Sequence, residues 1–178
     1  MQSEKLRALI ADLNLTSKLQ YGAQPLRRAL VTVGPLIRQC AAKFCDSAEA
    51  CTLSLVQSEA AEHARLWADG ALLERLLDNL LINSVRHNPE GVQIQLQTDV
   101  SDGFLCITVS DDGAGYPPEV LAALHAPETT SKAPHILGLH VVEQIAAAHG
   151  GNAVFSQNIP HGAKAVMRLP LEEKVTQP

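Results

Sequence analysis

Between Gly70 and His87, Leu73, Leu76, Leu77, Leu80 and Leu81 recur at the spacing of one face of an α-helix. No other stretch commits the chain so firmly, because a single apolar stripe has to be buried against a second layer. Asp69 ahead of it is a good N-cap. His87-Asn88-Pro89-Glu90-Gly91 ends it, since the residue before a proline avoids helix and glycine turns the chain. Two alternating segments follow, Val92 to Val100 and Phe104 to Ser110, joined by Asp102-Gly103, a good hairpin turn.

The same reasoning lays out the rest. Leu6, Leu9, Ile10 and Leu13 predict a helix over 4–20 that stops near Tyr21-Gly22. Pro25 suits the first turn of a second helix reaching to about Phe44, kinked or interrupted at Gly34-Pro35. Residues 51–57 alternate as a half-buried strand does, and Ala64 to Ala68 read as a short one. Residues 111–135, rich in glycine and proline, show no sustained period and read as a lid without structure of its own. A helix returns over 137–149 and stops at Gly150-Gly151. Strands over 153–157 and 163–169 flank Pro160-His161-Gly162, and the charged tail past Leu171 frays. Hairpin-linked strands interleaved with helices imply an α+β fold, a two-layer α/β sandwich. Its sheet is mixed and mostly antiparallel, with the helices on one face.

Composition removes several functions. There are 14 Lys+Arg against 19 Asp+Glu and only six aromatic residues, which argues against nucleic acid as the main partner. No apolar run approaches the ~20 residues that cross a bilayer, and no signal sequence opens the chain, so no membrane contact is expected and a cytoplasmic setting is the default. Cys40, Cys45, Cys51 and Cys106 form no C-x-x-C pair and are expected to be reduced and mostly buried. The seven histidines share no zinc-binding spacing, and no G-x-S-x-G is present.

Three clusters can carry chemistry. Asn79 and Asn83, four residues apart, lie on one face of the leucine helix, where a carboxamide oxygen suits a Mg²⁺ ion shared with phosphates. They could equally cap backbone or face solvent. Asp111-Asp112-Gly113-Ala114-Gly115 follows a strand: a carboxylate there can accept from an exocyclic amine, and the glycines allow close approach, although a simple tight turn has the same pattern. Leu137-Gly138-Leu139-His140 opens a helix whose N–H groups offer an anion site, or is a packing glycine at a helix start.

Taken in this order, the three closely resemble the ATP-binding domain of sensor histidine kinases, a branch of the GHKL ATPase superfamily, over residues 23–172. Leu77 to His87 resembles the N box, Asp111 to Gly115 the G1 box, and Leu137 to Leu139 the later half of the G2 box. By that resemblance Asn83 ligates Mg²⁺ and Asn79 supports it, and these two carry the catalytic role. Arg86 reaches phosphate, His87 lines the nucleotide, and Asp111 binds the adenine amine. Gly113 and Gly115 shape the adenine loop, and Leu137, Gly138 and Leu139 cradle phosphates. Thr129, Ser131 and Lys132 are the lid residues most able to meet phosphate, although a solvated polar loop would read the same way. Asp78 or Glu74 could assist as a base.

The implied activity is a protein-histidine kinase: transfer of the γ-phosphoryl group of Mg-ATP to a histidine on a dimerisation domain outside this sequence, and from there to a response regulator. The setting is the cytoplasm, or the cytoplasmic part of a membrane-anchored kinase. Residues 1–22 are then the end of a dimerisation helix and its linker, and 173–178 a disordered tail. Pro134 and Ile136 stand where the family's second glycine box has two further glycines, and the phenylalanine-rich F box is not recognisable. The alternative they motivate is a non-catalytic GHKL domain that acts as a protein-interaction module.

Overall fold

The computed structural model describes residues 2–23, 25–47, 51–124 and 136–171. Its centre is the leucine helix, α4 in chain order, which runs Gly70–His87 and is capped by Asp69, whose side chain accepts from the Leu72 N–H. Leu76 and Leu81 are fully buried and Leu77 nearly so. Each such side chain contributes about 1.5–3 kcal/mol by leaving water.

The preceding elements are helix α1 (Gln2–Gln20), strand β1 (Ala29–Thr32), helix α2 (Val33–Ser47), strand β2 (Cys51–Gln57), helix α3 (Glu59–His63) and strand β3 (Arg65–Ala68). After α4 come β4 (Val92–Ser101), β5 (Phe104–Asp111), α5 (Pro118–Leu124), α6 (Leu137–Ala148), β6 (Asn152–Gln157) and β7 (Ala163–Pro170).

Five strands form the main sheet in the order β2-β4-β5-β7-β6. β2 and β4 are parallel because α3, β3 and α4 cross over between them, whereas the other three pairings are antiparallel. Strict alternation places Ile94 and Leu96, then Leu105, Ile107 and Val109, then Ala165, Met167 and Leu169 on one buried face. Helices α2, α4 and α6 cover that face, and the glutamines Gln93, Gln95 and Gln97 point to the other. The α+β, two-layer expectation is met. The β4–β5 turn also takes the expected hairpin form, with positive φ at both Asp102 (53°) and Gly103 (78°).

Several expectations are corrected. No helix begins at Pro25: residues 25–28 are neither helix nor strand, β1 pairs with β3 as a separate two-stranded sheet, and α2 starts only at Val33. Gly34-Pro35 falls in its first turn, where a proline removes no intrahelical hydrogen bond, so nothing is kinked. Helix α3 was unforeseen; Ser58 caps it by accepting from the Ala61 N–H at 3.1 Å. The lid segment is not wholly irregular, since Pro118–Leu124 is helical around buried Val120. Residues 125–135 and the tail beyond 171 lie outside the described residues.

Of the four cysteines only Cys40 is buried, and Cys45 is exposed. Burial, then Glu74 and Asp78, push the Cys40 thiol up to about 11. Helix α1 docks on α6; of the stripe read from sequence, Ile10 and Leu13 stay half exposed, while Leu15 is buried. Positions 13 and 15 lie about 200° apart around a helix, so only one of them can face the domain. An ion pair from Asp12 to Arg75 of α4 accompanies Leu15.

Candidate functional site

The C-terminal end of α4, the end of β5 with the loop after it, and the start of α6 meet around one cleft. Asn83, Ser84, His87 and Asn88 form its helical wall, and Asp111, Gly115, Tyr116 and Pro117 the wall after β5. Val120 of α5, Leu139 of α6 and Ala163 of β7 complete it. The cleft thus has polar groups on the α4–β5 side and apolar groups opposite, the composition of a small-molecule site.

Alternation along β5 decides which of the paired aspartates enters. Asp111 points inward and is 4% exposed. Asp112 points outward and continues the β4–β5 ladder: its Oδ1 accepts from the Gln93 N–H at 2.8 Å and its N–H donates to the Gln93 carbonyl. The Asp111 carboxylate is held by three donors. Its Oδ1 accepts from the N–H of Gly113 (3.1 Å) and of Ala163 (2.9 Å), and its Oδ2 from the Ser84 hydroxyl (2.7 Å). A carboxylate so surrounded acts as an acceptor.

The loop carrying Gly113 and Gly115 is pinned at both ends. Asn88 donates to the Ser84 carbonyl (2.7 Å) and accepts from the Ala114 N–H (3.0 Å), tying the loop to the end of α4. Gln157 of β6 accepts from the Tyr116 N–H and donates to its carbonyl. A Cβ at Gly113 would overlap the Asn88 amide, which its two hydrogen bonds hold in place. The Tyr116 ring packs edge-on against Phe155 with centroids 6.0 Å apart. Burial first, then the Asp111 charge, raises its phenol, which therefore stays protonated.

Asn83, His87, Asp111, Gly115 and Leu139 are the residues read from sequence that come together here. Asn79 lies one turn back on α4, outside the lining, and its side-chain Nδ2 is buried with no hydrogen-bond partner. Arg86 is exposed at the last turn of α4 and Leu137 is buried, and neither lines the cleft; Gly113 backs it through Asn88. Helix α6 starts without a side-chain cap, and among the described residues a Cβ at Gly138 would meet nothing within 4 Å.

Lys132, Thr129 and Ser131 lie outside the described residues. Asp78 pairs with Lys43 of α2 at 3.4 Å, and neither Asp78 nor Glu74 lines the cleft, which removes the geometric basis for either as a base there. Ser84, Asn88, Tyr116 and Ala163 were missed. Asn88 had a signal, as a polar residue at a helix end before proline, and Ala163 had one only through the resemblance, as part of the final hairpin that lies near adenine in the family.

The family model described as histidine kinase-, DNA gyrase B-, and HSP90-like ATPase matches residues 68–173, the part that contains the whole cleft. Among curated proteins, the chain is 33% identical over 173 residues to the alginate biosynthesis sensor protein KinB of Pseudomonas aeruginosa, covering 96% of this chain and 29% of that protein. It is 31% identical over 158 residues to the sensor histidine kinase YvrG of Bacillus subtilis, covering 84% of this chain and 27% of that protein. It therefore spans less than a third of the length of either relative. Among solved structures, the histidine kinase AdeS of Acinetobacter baumannii superposes with a TM-score of 0.77 at 21% identity, over 97% of this chain and 81% of that one. Full-length ShkA in complex with AMPPNP superposes with a TM-score of 0.77 at 25% identity, over 96% of this chain and 37% of that one. The family model covers more than half of this chain and the relatives agree with it, so the chain belongs to the histidine kinase-, DNA gyrase B- and HSP90-like ATPase family.

Proposed function

We propose that this chain is the ATP-binding catalytic domain of a two-component sensor histidine kinase. It binds Mg-ATP and passes the γ-phosphoryl group to a histidine of a dimerisation domain, from which a cytoplasmic response regulator receives it. The observation that carries this reading is the buried Asp111 carboxylate, held as an acceptor by three donors in a cleft whose other side is apolar. A flat adenine ring suits Tyr116, Val120, Leu139 and Ala163, with its exocyclic amine on Asp111.

The residues fit a nucleotide and its ion. The buried Asn79 nitrogen, one turn back from Asn83 and without a partner among the described residues, is a spare donor behind the ion's proposed ligand. Among the described residues no three His, Cys, Asp or Glu converge. Mg²⁺ would then be held by the Asn83 carboxamide together with phosphate oxygens and waters, the usual manner for this ion. Bound there, it supplies neutralisation of the phosphate charge. The first turn of α6 would offer phosphate the N–H groups of Leu137 and Gly138, while that of Leu139 donates to the Ile136 carbonyl. Arg86 and Lys132 extend the same role toward the phosphate tail, and His87 flanks the nucleotide. In the transfer, a neutral imidazole nitrogen attacks with its own lone pair, the bond from γ-phosphorus to the bridging oxygen breaks, and ADP leaves with that electron pair. The protein's part is to position and to neutralise.

Residues 1–22 are read as the end of the dimerisation helix and its linker, 23–172 as the catalytic domain, and 173–178 as a tail. The exposed Ile10 and Leu13 face of α1 suits the dimerisation helices. Calorimetric titration with a non-hydrolysable ATP analogue, with and without Mg²⁺, tests the reading. Asn83→Ala and Asp111→Ala should each weaken binding at least tenfold, since a hydrogen bond to a charged group contributes about 1.5–3 kcal/mol. Absence of binding by the parent chain up to millimolar ligand, where about 4 kcal/mol suffices, would overturn it in favour of an interaction module.

A further inference from the structure

The two oxygens of Asp111 are not equivalent. Oδ1 is engaged by two backbone N–H groups, whereas Oδ2 accepts from Ser84 Oγ, at 2.7 Å. Ser84 and Asp111 are 6% and 4% exposed, and both line the cleft. A hydroxyl has one hydrogen. Ser84 gives it to a charged acceptor, where it is held most strongly, so its oxygen has only lone pairs left for anything else.

The surroundings hold this pair rigidly. Asn88 fixes the Ser84 carbonyl and the Ala114 N–H together, so helix and loop cannot slide past each other. Behind Asp111 there is no slack: a Cβ on Gly162 would lie 1.8 Å from the Asp111 carbonyl oxygen.

We propose that Ser84 and Asp111 form one amine-reading edge, two neighbouring oxygens that only accept, and that Ser84 is a specificity-determining residue for the base. The proposal rests on the nucleotide-binding reading and extends it. A 6-aminopurine presents N–H to this edge. A 6-oxopurine presents an acceptor to two acceptors, and a purine without a 6-substituent leaves both unmatched. Sites built to hydrogen-bond a ligand group discriminate strongly against analogues that lack it, because their own polar groups are left unpaired.

The test is calorimetric titration of this chain with the Mg²⁺ complexes of ADP, inosine diphosphate and purine riboside 5′-diphosphate, repeated on Ser84→Ala and Ser84→Cys. The parent should prefer ADP over both analogues by tenfold or more. Each variant should bind the 6-unsubstituted analogue within about twofold of the parent while the preference for ADP falls about fivefold or more. An unchanged preference in the variants, or equal weakening for all three ligands, would make Ser84 a structural residue and overturn the proposal while the nucleotide site stands. Failure of the parent to bind any of the three would remove the nucleotide-binding reading and this inference with it.

Discussion

His149 closes the C-terminal end of α6 against the N-terminal end of α4, and its substitution should cost stability in a pH-dependent way. The ring is 7% exposed. Its Nδ1 lies 2.7 Å from the Ile145 carbonyl and carries the hydrogen, and its Nε2 accepts from the Asp69 N–H at 3.0 Å. In His149→Leu the Ile145 carbonyl keeps a donor, the His149 N–H, but the Asp69 N–H loses its acceptor in a buried place. The loss of one hydrogen bond, about 1 kcal/mol, and the orphaned donor, about 1–3 kcal/mol, sum to roughly 2–4 kcal/mol near pH 8.

Protonation of the parent ring would place a hydrogen on Nε2 facing the Asp69 N–H. Burial depresses the His149 pKa below its ordinary 6.5, and the nearby Arg28 charge adds to this, against the opposing Ile145 carbonyl and Asp69 carboxylate. A depressed histidine stabilises the fold fully above the unfolded value and loses that contribution as pH falls through the folded one. Below pH 6.5 the parent should therefore lose up to about 1.4 kcal/mol per pH unit relative to His149→Leu. Urea unfolding of both proteins between pH 8 and 5 reads this difference directly. A gap that stays constant across that range, or widens on acidification, would refute the neutral-ring assignment.

Gly162→Ala should destabilise the domain by about 2 kcal/mol or more, because φ is +108° there and the new Cβ would overlap the Asp111 carbonyl; thermal unfolding measures it, and nucleotide affinity should fall in parallel. Breaking the Asp12–Arg75 pair by Asp12→Ala should change global stability by no more than about 1 kcal/mol, since both groups keep some water. Hydrogen exchange in α1 should nevertheless speed up while exchange in α4 stays as it was.

Helix α4 was legible to the residue because stripe, cap and stop are all local signals, and the same holds for the Asp102-Gly103 hairpin. The error after Pro25 has a tertiary cause: β1 exists only because β3 pairs with it, and proline's fitness for a first turn carries no information about that partner. For α1, the local stripe identified a helix but not which side is buried, since the partner is α6, far along the chain.

In the cleft, the three motifs carried the residue types and their order, and with them the family. Sequence by itself determined most of the helical and strand periods and put Asn83 and Asp111 on their helix and strand end, which depend on near neighbours. Only the tertiary structure decided that Asn79 lies outside the cleft lining and that Ser84 and the Ala163 N–H close on one carboxylate. Those contacts join segments tens of residues apart, so they are fixed by sheet register and helix packing, which no local pattern encodes.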